Sequence, residues 1–255
     1  MGKKVYIRGY TFSTRKNAKF TMKFIYYGHS CFAIETQGKK LLFDPFISPN
    51  ELASDIDLAT LKPDYILISH GHQDHVADVE TIAKQSGAKI VSSFEVASHY
   101  GDKGFEFQPL NHGGKWTFDF GTVKYVNAIH SSSFPDGSYA GNPGGFVIWN
   151  EEGCFYYAGD TALTMDMKLI PMLCPKVDFA IMPVGDCFTM GYEEAVIASD
   201  FVECNRVIGC HYDTFGFIEL DKEAAQKAFK AAGKELLLPA IGSTSAAHTG
   251  TSTPS

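Results

Sequence analysis

Within six positions, His70, His72, Asp74 and His75 place three imidazoles and a carboxylate around a single glycine, Gly71, in the stretch HGHQDH. Neutral imidazole is a ligand for zinc and other transition ions, and a carboxylate adds the charge that holds a second cation. His70 and His72 lie two apart and can converge from one turn, while Asp74 and His75 can face a neighbouring site. Gly71 lets the loop fold tightly enough for that convergence. A lone histidine is most often a surface or core residue, but four metal-competent groups so close together point to a metal site.

The cluster is fed by Tyr65–Ile68, a short apolar run bounded by Pro63 and Asp64 on one side and Gly71 on the other. That pattern predicts a buried strand with the ligands at its tip. Three more candidates close apolar runs in the same way: His130 after TVKYVNAI, Asp160 after CFYYAG, and His211 after RVIGC. Asp44 ends KKLLF just before Pro45, as either a residue that orients a ligand or a plain turn residue. His29, in the GHS that follows the first strand, either lines the site or packs in the core. Thr189 and Tyr212 are weaker candidates for substrate contact.

Around these residues the chain reads as strands and helices in alternation. Strands MKFIYYG, CFAIET and KKLLF form an opening antiparallel meander, with Gln37-Gly38 as a hairpin turn. An irregular or partly helical crossover spans 51–63. Val76, Val79, Ile82 and Ala83 predict a helix leaving the metal loop, capped at Gly87. KIVSS, a short helix from Phe94, a glycine-punctuated link and a second meander, WTF and TVKYVNAI, lead to His130. The polar stretch 131–145, SSSFPDGSYAGNPGG, reads as a mobile loop that either covers the site or merely connects two strands. FVIWN and CFYYAG, a helix around Met165–Leu173, VDFAIMPVG, a helix over Tyr192–Glu203, and RVIGC follow. Asp221 caps a final helix that ends at Gly233. Residues 1–21 read as an upstream extension or leader, 22–242 as the folded domain, and 243–255 as a disordered tail whose His248 is no ligand.

The 255 residues, 45% hydrophobic and 13% aromatic, suffice for a full core in one large domain or in two stacked halves. No run approaches the ~20 apolar residues of a membrane span, and no signal-peptide segment is evident, so the default expectation is cytoplasmic. Six cysteines without a C-x-x-C pair read as reduced core residues. A net charge of −7 argues against a phosphate-binding surface for nucleic acid, and favours a small-molecule substrate. Self-association is left open.

HGHQDH, with Asp44, His130, Asp160 and His211 in chain order, resembles the metallo-β-lactamase superfamily from Met22 to Ile241. GHS, DPF, AGDT, FTMG and HYDTF narrow the resemblance to a branch of bacterial metal-dependent hydrolases. That branch is similar to ascorbate-6-phosphate lactonase and, more distantly, to the phospholipase D acting on N-acyl phosphatidylethanolamine. One departure concerns substrate identity: such relatives often carry glycine or asparagine before the FTMG phenylalanine, where this chain has Asp186 and Cys187.

The resemblance implies a four-layer αβ/βα sandwich, an α/β architecture of two mixed sheets with helices outside. It implies two divalent ions, zinc or alternatively manganese. His70, His72 and His130 would hold one, Asp74, His75 and His211 the other, and Asp160 would bridge them. A metal-bound hydroxide would then attack a small, anionic ester, lactone or phosphoester, with Asp74 orienting it or moving its proton. Three competing readings remain: a nuclease of the same superfamily, an iron oxidoreductase, and a metal-stabilised binding protein without catalysis. The acidic balance weighs against the first. His72 weighs against the second, because those members often carry glutamate there. The complete ligand set weighs against the third.

Overall fold

The computed structural model describes residues 22–247. The expected leader, 1–21, and the tail residues 248–255 with His248 lie outside the described residues.

Two seven-stranded mixed sheets face each other. The first is built from β1 (Lys23–Gly28), β2 (Cys31–Thr36), β3 (Lys39–Phe43), β4 (Tyr65–Leu67), β5 (Lys89–Ser93), β6 (Phe107–Leu110) and β14 (Thr244–Ala246), in the order β14-β1-β2-β3-β4-β5-β6. The second holds β7 (Lys115–Phe118), β8 (Gly121–Asn127), β9 (Gly144–Asn150), β10 (Gly153–Tyr157), β11 (Phe179–Pro183), β12 (Arg206–Cys210) and β13 (Glu235–Leu237), in the order β13-β12-β11-β10-β9-β8-β7. Each sheet joins an antiparallel meander to a parallel half.

Strand alternation divides the apolar residues among three cores. Phe24, Phe32, Phe43 and Leu67 of the first sheet meet Tyr125, Phe146, Phe155, Tyr157 and Ile208 of the second in the layer between them. On the outside of the first sheet pack α1 (Gln73–Val76), α2 (Val79–Ser86) and α3 (Phe94–Asp102), with Val79, Ile82, Val96 and Tyr100 buried. On the outside of the second lie α4 (Ile170–Leu173), α5 (Tyr192–Phe201) and α6 (Lys222–Ala231), where Ala195, Ala198, Ala225 and Phe229 are buried. This is the expected four-layer sandwich.

Several local expectations are corrected. The helix after the metal loop is broken in two at Asp78, whose carboxylate accepts hydrogen bonds from Ile47 N (2.6 Å) and Ser48 N (2.9 Å) and so ties the helix start to the loop after β3. The link after α3 contains β6, an edge strand that tolerates Pro109 because its outer side needs no ladder partner. Nor is the tail disordered from its first residue. Thr244–Ala246 pairs antiparallel with β1, and Ala247 is fully buried between the sheets. The loop 131–145 is less polar in effect than in composition: Phe134 and Ala140 are buried in the first sheet's outer core, and Phe134 stacks on His99 of α3 at 3.9 Å. Among the cysteines, Cys187 is exposed rather than a core residue.

Candidate metal centre

The topology explains why residues scattered from His29 to His211 can meet. Within the first sheet β1, β3 and β4 run the same way, and within the second so do β8, β10 and β12. His29, Asp44 and His70 follow the first three, and His130, Asp160 and His211 follow the second three. His72, Asp74 and His75 come from the same loop as His70 and from α1. Each candidate thus projects from the carboxyl end of a strand or from the turn after it.

Three ligand-competent groupings result: His70, His72 and His130; Asp74, His75, His211 and His29; and His70, His75 and Asp160. Asp160 stands between the first two. Its Oδ2 lies 3.0 Å from His211 Nε2, 3.2 Å from His75 Nε2 and 3.6 Å from His130 Nε2. The other oxygen, Oδ1, is buried with no hydrogen-bond partner, as is His75 Nε2.

Hydrogen-bond bookkeeping fixes which ring nitrogen faces inward. Asp44 is fully buried and accepts from Ser69 N (2.7 Å), Ser69 Oγ (2.5 Å), Tyr157 OH (2.5 Å) and His75 Nδ1 (2.8 Å). His75 therefore turns Nε2 inward. Because the Ser69 hydroxyl donates to Asp44, it accepts from His70 Nδ1 at 3.0 Å, which leaves His70 Nε2 without a proton. Ser131 Oγ lies 3.3 Å from His72 Nε2, so Nδ1 is the inward atom of that ring. The inward nitrogens of His70 and His72 are only 2.8 Å apart. Two ring nitrogens that close together can converge on one cation once both are unprotonated, and the carboxylate holding one histidine through its other nitrogen is the arrangement metal sites use to orient ligands. The donor set fits divalent metal.

The electrostatics separate the two groupings. Burial and the neighbouring His75 push His70 well below the usual histidine range, and burial likewise lowers His72 and His130. Burial is the largest single influence on His75 and His211 and works to lower both, but the carboxylates of Asp160 and Asp74, joined at His75 by Asp44, together outweigh it, raising His75 well above the usual range and His211 to about 9. Against the upward push of burial, His75 and His211 hold Asp74 and Asp160 below the carboxylate range. The negative charge of the two aspartates thus calls for positive charge among the rings.

The other candidates divide. His29 is brought to the cluster, with Nε2 3.0 Å from Asp74 Oδ2. Tyr212 is not: it is buried, stacks on Tyr26 at 6.4 Å and belongs to the second sheet's outer core, because its neighbour His211 takes the inward direction. The hydrogen bonds of Thr189 stay within its own loop, to Met190 O and Asp186 O. Asp186 and Cys187 both adopt left-handed backbone, φ 62° and 58°, which explains why glycine or asparagine suits these positions. Gly71 has a different reason from the expected one. A Cβ there would overlap the Ala140 side chain, so glycine lets the loop 131–145 close onto the ligand loop. Ser69, Tyr157, Ser131 and Thr214 were not singled out from sequence. Ser69 and Thr214 flank ligand motifs, whereas nothing local marks Tyr157 or Ser131.

Residues 23–211 match the beta-lactamase superfamily domain. A protein of Christiangramia forsetii called a UPF0173 metal-dependent hydrolase is 60% identical over 222 residues, covering 87% of this chain and 98% of that protein. Another so named, from Methylacidiphilum infernorum, is 51% identical over 210 residues, 82% of this chain and 92% of its own length. Among solved structures, a metallo hydrolase from the hyperthermophilic archaeon Ignicoccus hospitalis superposes with a TM-score of 0.80 at 32% identity, covering 88% of this chain and 97% of that one. An isothiocyanate hydrolase from Delia radicum gut bacteria shares the fold at 20% identity and a TM-score of 0.72, covering 89% and 100%. The described residues include no helix long and apolar enough to cross a membrane. With its ligand geometry, sandwich architecture and close relatives in agreement, the chain belongs to the metallo-β-lactamase superfamily and is a metal-dependent hydrolase.

Proposed function

We propose that the hydrolase works with two divalent ions, zinc or manganese, and cleaves a small ester, lactone or phosphoester. The observation that carries this reading is the position of Asp160 Oδ2, within 3.0–3.6 Å of inward nitrogens from both histidine groupings. A shared carboxylate offsets the repulsion between two cations held close together.

His70, His72 and His130 would hold one ion and Asp74, His75 and His211 the other. When bound, such ions supply a water acidified towards a pKa of ~7 and an electrophile for the substrate oxygen. The chain's own groups do the rest. Asp74 is 26% exposed at its side chain, the most accessible carboxylate of the set, and is placed to orient the attacking water and take its proton. Asp44 keeps His75 and, through Ser69, His70 in the tautomers that turn lone pairs inward. Ser131, from the loop 131–145, contacts His72 through Nε2 and so leaves Nδ1 turned inward.

Metal analysis of the purified chain, together with a screen of esters, lactones and phosphodiesters, tests the proposal. Asp160→Ala is expected to hold one ion fewer and to lose at least ~100-fold in kcat/KM with the fold retained. Full occupancy in that variant would remove Asp160 from the bridge.

A further inference from the structure

The hydrogen-bond bookkeeping that orients His70 and His75 applies equally to His29. Its Nδ1 lies 2.9 Å from Thr214 Oγ1, and the Thr214 hydroxyl donates to the Tyr212 carbonyl at 3.3 Å. Thr214 is then the acceptor, His29 carries its proton on Nδ1, and Nε2 presents a lone pair. That lone pair faces Asp74 Oδ2 at 3.0 Å, two acceptors pointed at each other in the same way as His70 and His72.

His29 is also built in as firmly as the residues already assigned. It is buried, with its ring against Phe46 (5.5 Å) and Phe215 (5.4 Å) and 4.1 Å from the ring of His211. His29 and His211 both take left-handed backbone, φ 53° and 56°, and His211 N donates to His29 O at 2.9 Å. Non-glycine residues held in this region mark places where surrounding structure dictates the side-chain position. An imidazolium here would set a positive charge against the cation that Asp74, His75 and His211 are arranged to receive.

We propose that His29 is a further protein ligand of the Asp74–His75–His211 ion, a step that rests on the two-ion reading above. With Asp160 also facing it, that ion would be enclosed by protein donors, whereas the ion at His70, His72 and His130 would keep a position open to solvent and substrate. Asp74, His72 and His130 are all partly exposed, so the difference lies in the donor count: His29, Asp74, His75, His211 and Asp160 give the one ion five donors, whereas His70, His72, His130 and Asp160 give the other four. Closed sites hold a metal as structure and open ones use it for chemistry. The two ions therefore have separate duties: one is a lasting anchor that fixes Asp74, the other is the exchangeable centre where substrate binds.

The test uses the full chain loaded with zinc or cobalt(II) and stripped with a graded chelator. The wild-type protein is expected to release its ions in two well-separated steps. His29→Gln keeps an amide that can donate to Asp74 but removes the ring nitrogen. If His29 is a ligand, His29→Gln and His29→Ala both weaken the tighter ion by more than ~100-fold and merge the two steps. In both variants the visible band of the tighter cobalt intensifies as its coordination number falls. If His29→Gln instead matches wild type in affinity and spectrum, His29 only orients Asp74 and the assignment is overturned. Should either variant not fold, Thr214→Val keeps His29 but deletes the partner of its Nδ1. The tighter cobalt band must then shift, and an unmoved band overturns the assignment. A wild-type chain that binds fewer than two ions overturns the two-ion reading instead, which separates the two failures.

Discussion

Asp44 accepts four hydrogen bonds while fully buried, and together they meet three obligations of the site: Ser69 N and Oγ hold the ligand loop, His75 Nδ1 holds a ring, and Tyr157 OH ties in the opposite sheet. Asp44→Asn keeps the shape but turns one acceptor oxygen into a donor facing donors. Metal affinity at His75 is expected to fall about 10–100-fold, with a lower Tm; unchanged affinity by chelator competition would reduce Asp44 to a turn residue. His211 supplies a second residue-scale prediction. Burial alone would lower its pKa, but Asp160, 3.0 Å from its Nε2, holds it at about 9. A folded pKa above the unfolded value of ~6.5 means that protonated His211 stabilises the metal-free chain fully below pH ~6.5, and that this contribution is lost as pH rises through about 9. Metal binding has the opposite dependence, since a ligand imidazole must first lose that proton. Between those limits, zinc uptake should release a proton from His211, and affinity should climb by up to about tenfold per pH unit for each proton released. A weakly buffered titration with a pH indicator reads the released protons, and a flat affinity profile would remove His211 from the ligand set.

At the scale of elements, the placement of ligands follows from strands that leave their sheets at one edge, and the least expected of the strands is β14. Its three residues pair with Lys23, Phe24 and Ile25 of β1, and Ala247 N donates to Met22 O at 2.9 Å. Without it β1 would be the open edge of its sheet, and open edges recruit other chains. A chain ending at Ser243 is expected to lose on the order of 2–3 kcal/mol from the lost ladder bonds and the burial of Ala247, and to aggregate on heating. Denaturant midpoints and light scattering of the truncated and full-length chains check this. An unchanged midpoint would mean that β14 contributes nothing beyond covering the edge.

For the whole molecule, the core between the sheets is a layer of aromatic and aliphatic side chains that contains none of the proposed ligands. Folding should therefore survive metal removal, unlike that of a zinc finger. Chelation is expected to abolish hydrolysis and to lower Tm by roughly 10 °C, as expected when an ion present at about a thousand times its Kd is withdrawn from a domain of this size. Far-UV circular dichroism should stay near native, and restoring zinc or manganese should restore both Tm and activity. Loss of secondary structure on chelation would show that the ions are part of the scaffold.

Much of this was legible in the chain itself. HGHQDH announces metal chemistry because imidazole and carboxylate so close together have few other uses, and alternating apolar runs that end in His130, Asp160 and His211 announce strands with ligands at their tips. Residue type and local period are local properties, so sequence carries them directly. Relations across space were not legible. That Asp44 serves histidines of both groupings through Ser69 and His75, that Tyr157 reaches it from the opposite sheet, and that Tyr212 turns into the core while His29 turns to Asp74, all depend on which strands become neighbours and which way each side chain leaves its pleat. A short segment such as ELL or TSA has too few residues to show a period, and becomes a strand only because an open sheet edge lies beside it. Local chemistry determined the kind of site, and tertiary pairing decided which residues hold, orient and enclose it.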